Sequence, residues 1–203
     1  MPWQPSDWPT PLHAISLRGE VVNLEVLTAL HEPELLKISQ DARIWQYLTS
    51  NAGTPDGMHE YVGTSLEDHR SGTALPFIAR CAKTGAAIGM IRLKNLSRVH
   101  RKGVVGTWFI PPFWGTGANA ESKLLVLGHA FEVLSCLRVE FHADSRNLRS
   151  RAALKNMGAI QEGILRSDQI TIAGDRRDTV MFSVLAEEWP NVRTRLLAKI
   201  AAN

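Results

Sequence analysis

The stretch Thr107-Trp-Phe-Ile-Pro-Pro-Phe-Trp-Gly-Thr-Gly-Ala-Asn-Ala-Glu-Ser-Lys123, followed by an apolar-periodic run to Leu137, decides how this chain folds. Val104 to Ile110 reads as a strand, and Pro111 and Pro112, which have no amide to donate to a ladder, end it. Leu124, Leu127, Phe131 and Leu134 then recur at helical spacing. The order is strand, glycine turn, helix. Gly115 and Gly117 tolerate positive φ and let a ligand approach the backbone, while the free N–H groups of residues 117 to 120 open the helix. Amide donors and the helix dipole together favour phosphate at such a turn, without a charged side chain.

Gly115-x-Gly117-x-x-Ala120 also fits the dinucleotide fingerprint G-x-G-x-x-G/A, and the next predicted strand ends in an acid, Asp144. That fingerprint belongs on the first strand of a nucleotide-binding unit, whereas here more than half the chain precedes it. A P-loop is excluded, because no Gly-Lys-Ser/Thr follows the glycines. The remaining reading is a pyrophosphate loop of the acetyltransferase kind, and it depends on the rest of the chain.

With 203 residues, 44% of them hydrophobic, the chain can bury a full core and suits one domain better than two. Residues 1 to 13 lack the basic start and apolar centre of a signal peptide, and no apolar run is long enough to span a bilayer, so a cytoplasmic protein is expected. Cys81 and Cys136 suit reduced thiols better than a disulfide framework. A net charge of +3 is too mild to argue for nucleic acid. The seven His residues show no ligand spacing, and no metal is expected. Arg138, Arg146, Arg149, Arg151 and Lys155 crowd the segment after the glycine turn, either as a solvated face or as counter-charge for a phosphorylated ligand.

Pro2, Pro5, Pro9 and Pro11 make residues 1–14 an extended arm, and residues 15–203 are expected to form the domain. Leu17 to Leu27 alternates as a first strand with Gly19 as a bulge. A short helix with Pro33 in its first turn, a segment capped by Asp41, and a helix started by Thr54-Pro55 follow. From Leu75 to Ile110 the pattern is an antiparallel meander. After the glycine turn and its helix come a strand at Arg138 to Ala143, a helix capped by Asn147 and ended by Gly158, a hairpin turning at Ala173-Gly174-Asp175, and a last amphipathic helix.

Three passages carry a resemblance. They are Trp114-Gly-Thr-Gly-Ala-Asn-Ala-Glu121, Asn147-Leu-Arg-Ser-Arg151 through Met157-Gly-Ala159 with Glu162-Gly163, and Arg177-Asp-Thr-Val-Met-Phe182. With the order of elements, they resemble the GCN5-related N-acetyltransferases, and within them the RimJ/RimL-type branch. Against the family loop R/Q-x-x-G-x-G/A the chain departs at Trp114 and Asn119 and matches at Gly117. The resemblance implies an α/β (α+β) domain with a mixed, mostly antiparallel sheet flanked by helices. It implies acetyl-coenzyme A as donor and an amine as acceptor, either a protein N-terminus or a small molecule.

The same resemblance distributes roles. Gly115, Thr116, Gly117, Ala118, Asn119 and Ala120, beside Trp114, would hold the pyrophosphate on their amides. The edge of Trp108, Phe109 and Ile110 would pair with the pantetheine amides, Asn147 would bind the pantetheine arm, and Arg149, Arg151 and Lys155 would meet remaining phosphate charge. Ser150 would protonate the departing thiolate, although Asn-x-x-Ser at a helix start is equally a cap. Counting without gaps puts Gln169 where the branch has a carboxylate, and Gln cannot accept a proton. Asp168 beside it is preferred as the base, ahead of Glu140, His142 or solvent. Trp45 and Tyr47 are expected to face the acceptor. Two other classes stay open: a non-catalytic coenzyme-A-binding module, and a nicotinamide-dependent oxidoreductase, which requires parallel strands before residue 108. The arm and the last helix could serve a homodimer.

Overall fold

Period-two burial from Val22 onward and helical stripes between the strands require a sheet covered on both faces, and the computed structural model of the chain, which describes residues 15–202, has that arrangement. The expected N-terminal arm lies outside the described residues. In chain order the elements are β1 (Leu17–Arg18), β2 (Val22–Val26), α1 (Glu32–Ile38), α2 (Pro55–Arg70), β3 (Leu75–Cys81), β4 (Ala87–Ser97), β5 (Lys102–Phe109), α3 (Ala118–Gly128), β6 (Arg138–Asp144), α4 (Leu148–Met157), β7 (Ile160–Ile170), β8 (Arg176–Leu185) and α5 (Trp189–Ala201). One sheet runs β1-β2-β3-β4-β5-β6-β8-β7. Its strands pair antiparallel except β5 with β6, which are parallel. The strands from β1 to β5 pair with one another antiparallel throughout, which removes the nicotinamide reading.

Neighbouring residues on each strand feed opposite cores. Phe77, Ile91, Phe109, Phe141 and Phe182 pack with Val126, Leu127, Trp189, Val192 and Leu196 of α3 and α5. Ile78, Met90 and Trp108 pack on the other side with Leu35, Met58 and Val62 of α1 and α2. Each such side chain, fully buried, contributes about 1.5–3 kcal/mol. The helix boundaries follow from their caps: Thr54 Oγ1 accepts the Gly57 N–H, Asn147 Oδ1 accepts the Ser150 N–H, and Gly158 closes α4 at φ 99°.

The first strand departs from expectation. Leu17 to Leu27 is a hairpin, turned over residues 19–21 and not bulged at Gly19. The cause lies a hundred residues away. The buried Glu121 carboxylate on α3 accepts the amides of Glu20 at 3.0 Å, Val21 at 2.7 Å and Val22 at 2.6 Å. A Cβ on Gly19 would come within 2.4 Å of that carboxylate.

Candidate active site

The β5–β6 pairing is short. Lys102 to Val105 match Arg138 to Phe141, after which the strands part. β6 stays with β8 as far as Asp144, while β5 runs on to Phe109 paired only with β4. The opening between them belongs to a cavity of about 590 Å³ that reaches both faces of the sheet. Its β5 edge is a row of backbone groups. Ile110 donates its N–H to Ile88 O on β4 at 2.9 Å, so strand alternation turns the Trp108 amide the same way and leaves those of Thr107 and Phe109 facing the opening. The expectation that Trp108 and Ile110 offer edge amides is therefore corrected. Thr107 joins Phe109 there, and the Phe109 carbonyl already accepts the Trp114 indole N–H at 2.6 Å.

The glycine turn closes one end. Gly115 has φ 78°, a conformation that favours glycine, with nothing within 4 Å of where a Cβ would stand. Thr116 Oγ1 donates to Phe113 O at 2.9 Å and accepts the Ala118 N–H at 3.3 Å. Among the described residues the amides of Gly115, Thr116, Gly117, Asn119 and Ala120 have no partner. That cradle of free donors at the start of the eleven-residue α3 fits a pyrophosphate. Above it, the Arg149 guanidinium stacks 3.5 Å from the Trp114 ring centroid, with Arg43 at 5.9 Å on the same ring. A tryptophan at this point of the loop thus supports two guanidinium groups. Lys123, one turn into α3, is buried, donates to Asn119 Oδ1 at 2.5 Å, and is lowered by that burial to about 8.

Of the residues read as cofactor contacts, Trp108, Phe109, Trp114, Gly115, Thr116, Asn119, Ala120, Asn147 and Arg149 line the cavity. Ile110, Gly117, Ala118, Arg151 and Lys155 do not. Arg151 instead spans from α4 to the Ser145 carbonyl at 2.7 Å. Ser150 lines the cavity with its hydroxyl unpartnered among the described residues, while its amide is taken by Asn147.

The register fixes what faces the opening from the α1 and α2 side. Lys94 pairs with Val104 and Arg92 with Gly106, and Val104 pairs with Glu140, so Arg92, Lys94, Gly106, Glu140 and His142 share one face. Gly106 and His142 are the first residues beyond the last β5–β6 rung. A Cβ on Gly106 would meet only Lys94 Cε, at 3.8 Å, so the glycine leaves open space there. His142 Nε2 lies 3.3 Å from Glu140 Oε2. Burial lowers the imidazole below 6.5, outweighing the upward pull of Glu140. Tyr47, Tyr61, Gln169 and Arg177 complete this wall.

Two expectations about this wall change. Trp45 is a core residue: it is 5% exposed, its indole N–H donates to Ser39 O at 2.8 Å, and its ring packs on Tyr61 and Trp108. Asp168 is exposed on the edge strand β7 and outside the cavity lining, which takes Gln169. Bulges in β7, one between Leu165 and Gln169, shift the register that gap-free counting assumes. Arg92, Lys94, Gly106, Thr107, Lys123 and Arg177 were given no role in the sequence. Arg92 and Lys94 do carry a signal, two cations at period two that follow the apolar run from Ala87 to Ile91 on β4. Among the described residues no cluster of three or more His, Cys, Asp or Glu could hold a metal ion, and no helix is long and apolar enough to cross a membrane.

The comparisons agree with this geometry. The family model described as an acetyltransferase (GNAT) domain matches residues 22–160. A protein of Bacillus subtilis (strain 168) named "Putative ribosomal N-acetyltransferase YdaF" is 36% identical over 105 residues, which span 52% of this chain and 57% of that protein. A solved structure from T. thermophilus, titled a "putative acetyltransferase", is 35% identical with a TM-score of 0.82, covering 95% of this chain and 99% of that one. Mycobacterium smegmatis RimJ, solved in complex with CoA-disulfide, shares the fold at 22% identity and a TM-score of 0.79, over 91% of this chain and 93% of that one. The chain belongs to the GNAT acetyltransferase family.

Proposed function

We propose that the protein moves an acetyl group from acetyl-coenzyme A directly to a primary amine, with donor and acceptor bound together. The observation that carries this reading is the parting of β5 from β6, with the space before Gly106 and the His142 imidazole at its apex. Acetyl-coenzyme A supplies an activated thioester carbonyl. The chain's own groups do the rest. The amides of Gly115, Thr116, Asn119 and Ala120 hold the pyrophosphate, and those of Thr107 and Phe109 orient the pantetheine amides as an added strand would be oriented. In this reading an edge amide of β5 donates to the developing oxyanion.

The amine attacks in its neutral form, and His142, whose burial favours the neutral ring, accepts the N–H proton released as the C–N bond forms, while Glu140 holds the imidazole. Ser150, with its hydroxyl free and its amide fixed by Asn147, donates to the departing thiolate. His142 takes the role assigned to Asp168 because it lines the cavity and Asp168 does not. The name of the Bacillus subtilis relative, a putative ribosomal N-acetyltransferase, supports a protein acceptor, which we take to be a protein N-terminus in a cytoplasmic setting.

Calorimetric titration with acetyl-coenzyme A, followed by thiol release against N-terminal peptides and small amines, tests the proposal. Micromolar binding with thiol release on one of them is expected. Binding without release on any amine would leave a coenzyme-A-binding module, and no binding would overturn the reading altogether.

A further inference from the structure

The acceptor wall carries more positive charge than proton transfer needs. Arg92, Lys94 and Arg177 all line the cavity on the α1 and α2 side. Burial disfavours the charge on Lys94 most, and Arg92 and Arg177 lie close enough to add to that effect, against the weaker pull of Asp68. Among the described residues none of the three forms an ion pair. The carboxylates that act on them from a distance form no ion pair with them: Asp144 is held through both oxygens by Arg146, at 3.0 and 2.8 Å, Glu140 is held by Arg138 and Lys102, and Asp68 and the exposed Asp168 reach Lys94 and Arg177 only through longer-range attraction. The polar contacts they do make are partial. Arg92 reaches Ser65 Oγ at 2.9 Å and lies 4.3 Å over the Tyr61 ring, and Arg177 donates to Tyr47 O at 3.3 Å. The Nε of Arg92 and of Arg177 are both buried without a partner, as is Thr179 Oγ1 beside them on β8.

Holding three cations on one desolvated wall with no carboxylate in direct contact is costly, and an anion entering between them offsets that cost. The coenzyme phosphates are not that anion. Their cradle lies beyond the Phe109 end of β5, whereas Arg92 and Lys94 face Gly106 and Val104, three and five residues back. At ~3.3 Å per residue this is roughly 10–16 Å along the strand. The wall instead borders the space in which the amine must stand.

We infer that the acceptor is an amine whose own molecule carries a carboxylate, held by Arg92, Lys94 and Arg177 while the amine points at the β5–β6 apex. This rests on the transferase reading above and narrows its substrate. The carboxylate can be the α-carboxylate of a free amino acid or an acidic side chain at a peptide N-terminus. Both present the same group at a short distance from the amine.

The test compares kcat/KM within matched pairs: glycine against glycinamide, and Asp- and Glu-led tripeptide amides against their Asn- and Gln-led partners. At least tenfold preference for the charged member of one pair is expected, and the pair showing it names the source of the carboxylate. Lys94→Gln and Arg92→Gln reduce that preference, and Lys94→Glu reverses it, with far-ultraviolet circular dichroism checking the fold of each. Calorimetric titration of N-acetylglycine against N-acetylglycinamide gives a readout that needs no turnover, the charged ligand binding at least tenfold tighter and losing that margin in Lys94→Gln. Thiol release on neutral amines at equal rates, with equal binding of the two acetylated ligands, would overturn the carboxylate inference and leave the transferase standing. If no amine is acetylated, the transferase reading fails, and the acetylglycine titration alone decides whether the wall binds a carboxylate.

Discussion

His142 is held between two opposed influences, and the balance sets the pH behaviour. Its side chain is 30% exposed, and its desolvation favours the neutral ring more than Glu140 favours the charged one. A base must be neutral to accept a proton, so activity is present above its pKa and lost as pH falls through it. Because that pKa lies below 6.5, the acid limb of kcat/KM is expected below pH 6.5. In His142→Gln kcat falls about 10²- to 10⁴-fold and the limb disappears. A pH profile of the two proteins checks this, and an unchanged limb would assign the proton to another group. Gly106 makes a steric prediction. Valine there fills the space before the apex, so the KM for the amine rises about tenfold or more while acetyl-coenzyme A affinity, measured by calorimetry, stays within about twofold.

Residues also show where a sequence stops speaking. Trp45 and Tyr47 look alike as aromatics two apart in a turn-rich segment, yet a 3-10 turn at Ala42–Ile44 puts one in the core and the other on the cavity. The Ser39 carbonyl that satisfies the Trp45 indole is fixed by tertiary packing, which no local pattern encodes.

At the scale of elements, caps and periodicities were legible because they are local. Thr54, Asn147 and Gly158 bound their helices where side-chain chemistry demands. What was not legible depends on partners far along the chain. The first hairpin exists because Glu121 occupies the amides of residues 20 to 22, and the bulges of β7 depend on contacts such as the Asp178 carboxylate accepting the Ser167 N–H at 2.8 Å.

The strands at the site are tied by a second network. Arg138 bridges Glu140 on its own strand and Glu162 on β7, and Lys102 of β5 reaches Glu140 at 3.1 Å. The hydrogen bonds from Arg138, with help from Ser183, hold Glu162 down to about 2, from 4.5. Since the folded value is the lower one, this contribution to stability is whole above about pH 4.5 and is lost as pH falls through about 2. Denaturant unfolding of Glu162→Gln between pH 5 and 2 should therefore show a flatter acid limb than the parent. The same slope in both would mean that the pair contributes nothing.

For the whole molecule, the order of strands and helices sufficed to anticipate one domain with a mixed sheet, because each element announces its own period and the meander leaves few ways to arrange them. The parting of β5 from β6 was not readable. It is set by where a parallel pair runs out, and that is a property of two strands joined through a helix and a turn. The cationic wall stayed hidden for a related reason, since Arg177 reaches Arg92 and Lys94 only through the sheet. Ligand binding at the cradle should be felt by the fold as a unit. At a concentration of acetyl-coenzyme A one hundred times its Kd, stability rises by about 2.7 kcal/mol. For a chain of this size that raises Tm by roughly 5–10 °C in a thermal melt, and an unmoved Tm at saturation would deny binding to the native state.

Helix α3 does two jobs within its first turn. Asn119 and Ala120 line the cavity with unpartnered amides, and Glu121, next in line, holds the hairpin at the β1 edge of the sheet. A ligand that quiets the opening turn also steadies the carboxylate behind it, so the amides of residues 20 to 22 exchange their hydrogens with solvent more slowly whenever the cradle is filled. The edge of the sheet thereby reports, from a place no ligand touches, whether the coenzyme is home.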